Sequence, residues 1–527
     1  MSRHTPLVAF VLAALFASMG VAGCRAQAPS PTLAQSDADP SSTKKEAAAQ
    51  LKTLTLSHSI TATPVVGTEV DAIAEGLPPG RKVDLLWQTV NGGWVIEDYY
   101  HFRGKKFTET TKSLGQADTG DDGRLAAHFK IPEDYGGVHE LTVSDKGVPL
   151  AQGGIEVSQT FEMHPAEGPV GTPIELRVKG LGWRTMESTW VINWDNQEVG
   201  WVSATDTHGT ATARFRASGP VGEHQVRVYT GYMGQGYLNH EQAPNAYLPR
   251  PAFVFRVTPG NVATSAYAEP YPKQPVPVSK GASDEAMLIV TPTQGPVLTR
   301  ASLKASGLPA NRPVSLVWGT WEGSRVSGNG FAPKETELTK LTVGADGRLD
   351  TSLTIPDDLG GLHTVLIRSG DATLAQTYFV VETSVVSISP TSGPAGTPVS
   401  IHLKGVGWTD YDNIYVATYD NGYMGYACGF NSRGDVVVNF TAAGPPGIHL
   451  IDFYPGIYQG PEGSQQLYRL PQLTYADDHP GNHIPALRFA FEVTASSRVV
   501  SSGGKTDRNV ERTLLGPPDR NLALSPR

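Results

Sequence analysis

The sequence predicts an all-β chain of four tandem β-sandwiches, arranged as a two-domain module that occurs twice. Three observations predict it. Short runs alternate apolar and polar residues, as in Pro173-Ile-Glu-Leu-Arg-Val178 and Val399-Ser-Ile-His-Leu403, and a period of two puts one strand face in a core and the other in water. The 57 glycines and 40 prolines among 527 residues favour turns over long helices. The third observation is internal repetition: residues 165–224 match 390–449 at a constant offset of 225, without a gap.

Within that block Pro165 pairs with Pro390, and Gly171-Thr172-Pro173 with Gly396-Thr397-Pro398. Gly180, Gly182 and Trp183 pair with Gly405, Gly407 and Trp408, Trp194-Asp195-Asn196 with Tyr419-Asp420-Asn421, and His224 with His449. The preceding segments also repeat. Trp87 matches Trp318 at offset 231, whereas Asp122-Gly123 and His139 match Asp346-Gly347 and His363 at offset 224, so the first copy holds seven extra residues between Trp87 and Gly123. Each unit is about 100 residues, the size of an immunoglobulin-like sandwich, and Trp87 and Trp318 stand where such a sandwich buries a strand-C tryptophan. The Asp-Gly pairs read as hairpin turns. The expected organisation is a signal segment 1–23, a tether 24–52, sandwiches over 53–158 and 159–258, a Pro-rich semi-rigid linker 259–283, sandwiches over 284–383 and 384–494, and a disordered tail 495–527.

The run from Pro390 through Gly393, Gly396-Thr397 and Gly405-Val-Gly407-Trp408 resembles the opening of IPT/TIG-type immunoglobulin-like domains. The resemblance covers the second and fourth units; the first and third look like generic bacterial immunoglobulin-like domains. It implies sandwiches used for adhesion, ligand binding or spacing, and no chemistry. At the N-terminus, Val21-Ala22-Gly23-Cys24 closes an apolar run that begins at Pro6 and has the layout of a secretory signal. These four residues resemble the lipobox of bacterial lipoproteins. That resemblance implies lipidation at Cys24, an extracytoplasmic location and a membrane partner through the lipid. Cys24 being committed to lipid, the two cysteines do not imply a disulfide, and Cys428 reads as a small buried apolar residue.

The net charge of −9 and the absence of a basic tract argue against a nucleic-acid partner. No Gly-x-Ser-x-Gly, His-Glu-x-x-His or Cys-x-x-Cys motif is present, so no enzyme, cofactor or metal is expected. His139, His224, His363 and His449 each follow a glycine turn in a separate unit and read as turn-packing residues. The acidic turns at Asp118–Asp122 and Asp410–Asn413 read as solvated loops.

Aromatic residues carry the binding candidates. Trp183, Trp190, Trp194 and Trp201 crowd one stretch of the second unit, with Trp408, Tyr415, Tyr419 and Tyr426 as counterparts. Trp183 and Trp190 are expected in the core; Trp194 and Trp201 fit either core packing or a stacking platform. The segments before the last strand are long and tyrosine-rich. One holds Tyr232, Tyr237, Asn239, His240 and Tyr247; the other, eleven residues longer, holds Tyr458, Tyr468, Tyr475, Asp477, Asp478, His479 and His483. Such loops combine rigid contact area with adaptable hydrogen bonds, and they lie near the F–G position. The ligand-binding candidates are therefore Tyr232, Tyr237, Tyr247, Trp194, Trp201, Tyr458, Tyr468, Tyr475, Tyr419 and Tyr426, facing a surface glycan or an envelope or extracellular protein. The competing expectation is a structural spacer in which these loops pack between domains. An envelope hydrolase ranks last; it would need a pocket joining Asp477, Asp478, His479 and His483.

Overall fold

The structure, a computed structural model, describes residues 51–495 apart from 98–99, 233–234, 284–285, 324–330, 430–432, 459–469 and 482. The lipobox, the tether, the tail and Tyr468 lie outside the described residues, and so does the side chain of Tyr232. All regular elements among the described residues are strands, and eight sheets form four sandwiches.

In the first sandwich, a sheet ordered Lys52–Thr53, Val148–Val157, Gly137–Asp145, Lys82–Glu97, His101–Asp118 faces a sheet of Thr55–Ser57, Glu69–Ala74 and Leu125–Lys130. The other three sandwiches repeat this plan of one larger and one three-stranded sheet. The alternation seen in the sequence is the cause. In Pro173–Lys179 the side chains of Ile174, Leu176 and Val178 are buried while Glu175 and Arg177 face solvent. Glu69–Ala74 does the same with Val70, Ala72 and Ala74. The Asp-Gly turns need their glycine: Gly123 has φ +71°, and a Cβ there would sit 2.5 Å from the Leu77 carbonyl oxygen.

The four repeated histidines have one role. Each ring stacks on the core aromatic of its sandwich: His139 on Trp87 with centroids 4.4 Å apart, His224 on Trp194 at 5.1 Å, His363 on Trp318 at 4.6 Å and His449 on Tyr419 at 5.5 Å. Both ring nitrogens reach oxygens, as in His139 to the Gln88 and Tyr135 carbonyls, each 2.8 Å. They tie the start of one strand to the turn before it and to its neighbour.

The segment expected as a bare linker is partly built into the fold. Ala266–Ala268 pairs antiparallel with Phe489–Leu487 of the fourth sandwich, and Lys280–Gly281 pairs with the third. Tyr271 packs on the fourth core, and the Gln274 amide donates to the His483 carbonyl at 2.6 Å. Extended, proline-rich backbone supplies unpaired edges, and both sandwiches use them.

The second and fourth sandwiches also pack on each other. The Arg216 guanidinium lies against the Asp452 carboxylate, with Nε to Oδ2 at 3.1 Å, and donates to the Phe489 carbonyl at 2.8 Å; both charged side chains are buried. Arg488 approaches the same carboxylate at 3.3 Å. From the other side, the Asn421 amide donates to the Arg216 carbonyl at 2.8 Å and to Ser218 Oγ at 2.9 Å.

Candidate binding surfaces of the second and fourth sandwiches

Both tyrosine-rich segments join antiparallel neighbours: Gly222–Tyr232 to Ala252–Asn261 in the second sandwich, and Gly447–Gly456 to Leu487–Thr494 in the fourth. Their fates differ.

The fourth-sandwich loop leaves its own domain and completes the second. Trp201 N donates to the Pro471 carbonyl at 2.8 Å, Leu473 N donates back to the Trp201 carbonyl at 2.8 Å, and Trp201 Nε1 donates to the Leu470 carbonyl at 3.0 Å. The loop thus adds a short parallel bridge to the edge strand Gln197–Val202. Leu473, Tyr475 and Ala486 then enter the hydrophobic core of the second sandwich. Asp477 holds Arg214 Nη1 at 3.1 Å and Thr212 N at 2.8 Å. Asp478 is fully buried and accepts from Ser203 Oγ at 2.6 Å, Thr205 N at 2.8 Å, Asp206 N at 2.7 Å and Trp94 Nε1 at 3.2 Å. His479, also buried, sits between Gln472 Oε1 at 2.5 Å and the Tyr411 carbonyl at 2.7 Å, and burial pushes its pKa down to about 3.

Trp94 belongs to the first sandwich. The seven extra residues of the first copy lengthen the hairpin of Lys82–Glu97 and His101–Asp118 into an arm. Its end inserts between the second and fourth sandwiches, where Phe102 packs with Val191, Trp201 and Ile457. Phe102 N donates to Asp410 Oδ2 at 3.0 Å, and Asp410 N to the Tyr100 carbonyl at 3.0 Å. Lys105 on the arm donates to the Ser188 carbonyl at 2.7 Å and Thr189 Oγ1 at 2.9 Å, and lies over the Trp94 and Trp201 rings at 5.4 and 5.9 Å. Burial pushes its amine down to about 8, against the opposing pull of Asp478.

Several binding candidates are therefore corrected. Trp194, Trp201 and Tyr475 are 2 %, 0 % and 1 % exposed and offer no surface to a ligand. Trp194 lies in the second core, Trp201 is roofed by the loop of another domain, and Tyr475 hydrogen-bonds Glu269 from within that core. Tyr419 is half-buried, with its hydroxyl donating to the Ala443 carbonyl at 2.6 Å and its ring on His449. Tyr458 is half-buried, and its backbone N donates to the Asp410 carbonyl at 2.6 Å. Tyr426 is 40 % exposed on Gly422–Cys428, and Cys428, expected buried, is half-buried on the same strand. Trp183, expected in the core, is half-buried and faces the first sandwich, edge-on to His139 at 5.2 Å.

The second-sandwich loop stays on its own domain and on the surface. His240 stacks on Tyr229 at 5.5 Å and meets Tyr237 edge-on at 6.2 Å, Asn245 bonds Thr230, and Leu248 anchors in the core. Leu238 and Tyr247 project, 72 % and 57 % exposed. The Tyr247 hydroxyl meets Glu187, and burial together with that carboxylate pushes its pKa up to about 12. Beneath and within this loop, Asn193 Oδ1, Glu198 Oε1, His240 Nε2 and Asn245 Oδ1 are buried without a hydrogen-bond partner. Glu198 lies directly across from Asn193, and burial raises its carboxyl pKa and lowers that of the His240 imidazole. Buried polar atoms left without partners are uncommon in folded proteins.

Sequence reasoning missed Trp94, Phe102 and Lys105 on the arm; the signal was the seven-residue length difference. Among the described residues no group of three or more His, Cys, Asp or Glu is placed to hold a metal.

No protein-family model matches this chain, and no curated protein matches it in sequence. Among solved structures it is similar to a tetra-tandem repeat in the extending region of a large adhesion protein, at 12 % identity over 84 % of this chain and 100 % of that one, with a TM-score of 0.19. It is also similar to an ICAM-5 D1–D4 ectodomain fragment, at 11 % identity over 85 % of this chain and 100 % of that one, TM-score 0.17. Escherichia coli alpha-2-macroglobulin activated by porcine elastase matches at 11 % identity over 84 % of this chain and 44 % of that one, TM-score 0.15.

Proposed function

We propose that this chain is a non-enzymatic, extracytoplasmic binding or adhesion protein. In this reading it is anchored in the membrane by lipid on Cys24 and uses the tyrosine-rich loop of the second sandwich to hold a surface glycan or an envelope or extracellular protein. One observation carries the reading. That loop projects Leu238 and Tyr247 into solvent, and the same sandwich holds Asn193 Oδ1, His240 Nε2 and Asn245 Oδ1 buried without a hydrogen-bond partner, so apolar contact and unused hydrogen-bonding capacity occur on one domain. The lipobox resemblance supports the anchor.

A second reading, a structural spacer, is favoured by the fourth-sandwich loop, which bonds within the molecule throughout its described length. A glycan and cell-wall-polymer screen on the full chain in detergent tests both. Binding that a Leu238→Ser, Tyr247→Ala double variant loses, with its circular dichroism spectrum still that of the folded chain, is the expected result. A folded wild-type chain that binds nothing in the screen, and retains no envelope protein on chemical cross-linking, leaves the spacer.

A further inference from the structure

The boundary between the first and second sandwiches holds a groove of about 290 Å³ whose lining includes Gln88, Val90, Glu109, Glu140, Gly154 and Trp183. We propose that this groove binds the ammonium end of an alkylamine, seated against Trp183 between the carboxylates of Glu109 and Glu140.

The strand order places those carboxylates. Val90 is on Lys82–Glu97, which lies between His101–Asp118 and Gly137–Asp145; Glu109 lies directly across from it on the first of these neighbours, and Glu140 is on the second. Among the described residues no cation pairs with either glutamate; Glu140 accepts from the Gln152 side-chain amide through Oε1, which leaves its second oxygen for a ligand. Lys112 pairs with Asp134 at 3.0 Å and Arg184 with Glu187 at 3.7 Å. Arg184 also lies over the Trp183 ring at 5.6 Å, so that ring already serves as a platform for a positive charge. Thr89, 4 % exposed, lines the groove too, and its hydroxyl has no hydrogen-bond partner. Two carboxylates, an aromatic ring and an unused hydroxyl suit a donor-only cation.

The duplicated half of the molecule shows that the fold does not require this groove. At the equivalent positions Val90 becomes Trp321, Glu109 becomes Pro333, Glu140 becomes Thr364 and Gly154 becomes Tyr378. Trp321 stacks on Trp408, the counterpart of Trp183, with centroids 4.1 Å apart. One copy is filled by aromatics; the other keeps the space, both carboxylates and the tryptophan.

The proposal goes beyond the loop reading, because no groove residue lies on the tyrosine-rich loop. Isothermal titration of the full chain in detergent, at low ionic strength, tests it with spermidine, with a lysine-containing tripeptide amide, and with the same peptide acetylated on the lysine side chain. Saturable binding of either amine is expected, weakened by salt. Tighter spermidine binding assigns a free polyamine as the source, and tighter peptide binding assigns a lysine of a partner protein. Glu109→Gln and Glu140→Gln should each weaken binding about five- to ten-fold. Gly154→Tyr, which imports the residue of the second copy, should abolish it. A Cβ at Gly154 comes no closer than 3.8 Å to any atom, so this variant is expected to melt like wild type. The Leu238→Ser, Tyr247→Ala variant should bind the amines normally, which separates a failure of this site from a failure of the loop. Equal binding of the acetylated peptide, binding unaffected by Gly154→Tyr, or no saturable heat with either amine would overturn the proposal.

Discussion

The second and fourth sandwiches share an ungapped repeat, yet their F–G loops do opposite things. The shorter loop folds back on its own sheet and presents Leu238 and Tyr247 to solvent. The longer one crosses to its sister domain, roofs Trp201 and buries Tyr475 in a foreign core. Similar composition therefore does not set the role; length and reach do. The comparison extends to the first and third sandwiches, whose hairpins differ by seven residues. The two insertions meet: Trp94 of the long hairpin donates to Asp478 of the long loop. Each half of the duplication has grown an element that the other half completes.

The largest expected effect breaks that meeting point. Asp478→Ala leaves four donors facing a void in a buried site and should destabilise the protein by about 3–5 kcal/mol, read by urea denaturation. Equal midpoints for variant and wild type would mean that the joint contributes nothing. Trp94→Ala removes one donor and part of the apolar contact, and about 2 kcal/mol is expected. Amide exchange should then rise around Ser203–Asp206 while the third sandwich stays protected.

The histidines sharpen the comparison through pH. The hydrogen bond that the His449 ring donates to the Asp420 carboxylate raises its pKa above the ordinary 6.5. Its stabilisation is therefore full below pH 6.5 and is lost as pH rises through the higher folded value. Burial lowers the pKa of His363 below 6.5, so its contribution is present above pH 6.5 and is lost as pH falls through the lower folded value. Stability profiles of His449→Gln and His363→Gln should flatten on opposite sides of pH 6.5; flattening on the same side would contradict the two environments. The smallest effect belongs to the exposed loop. Leu238→Ser should move stability by no more than about 0.5 kcal/mol in thermal melts, whereas Tyr475→Ala should cost several times more.

The strands and the duplication were legible because alternation and constant offsets are local properties of the sequence; the Asp-Gly pairs marked turns, but these cross from one sheet to the other and are not the hairpins expected. The even spacing of Trp190 and Trp194 placed them on one strand face, but whether Trp194 packed in the core or served a ligand was not legible. What covers Trp201 was not legible: its roof is Leu470–Leu473, about 270 positions away, and no periodicity in the second unit encodes a neighbour from the fourth. Trp183 misled for the same reason. It aligns with Trp408, but its surroundings depend on residue 90 or 321, which is valine in one copy and tryptophan in the other. The length differences were readable as numbers; that their products touch was a property of the assembled fold.

The bond between Trp94 and Asp478 spans 384 positions, and this has a consequence for biosynthesis. Chains grow from the N-terminus at about 5–20 residues per second, so the arm waits on the order of tens of seconds before its partner loop exists. During that interval the arm has only the second sandwich to pack on, through Val191 and Trp201, and its side toward Ile457 and Asp478 stays open. Chains that stop before the fourth sandwich keep that side uncovered and should be preferred clients of holding chaperones, or aggregate. Completion of the last domain retires the hazard, and the molecule closes by latching its beginning to its end.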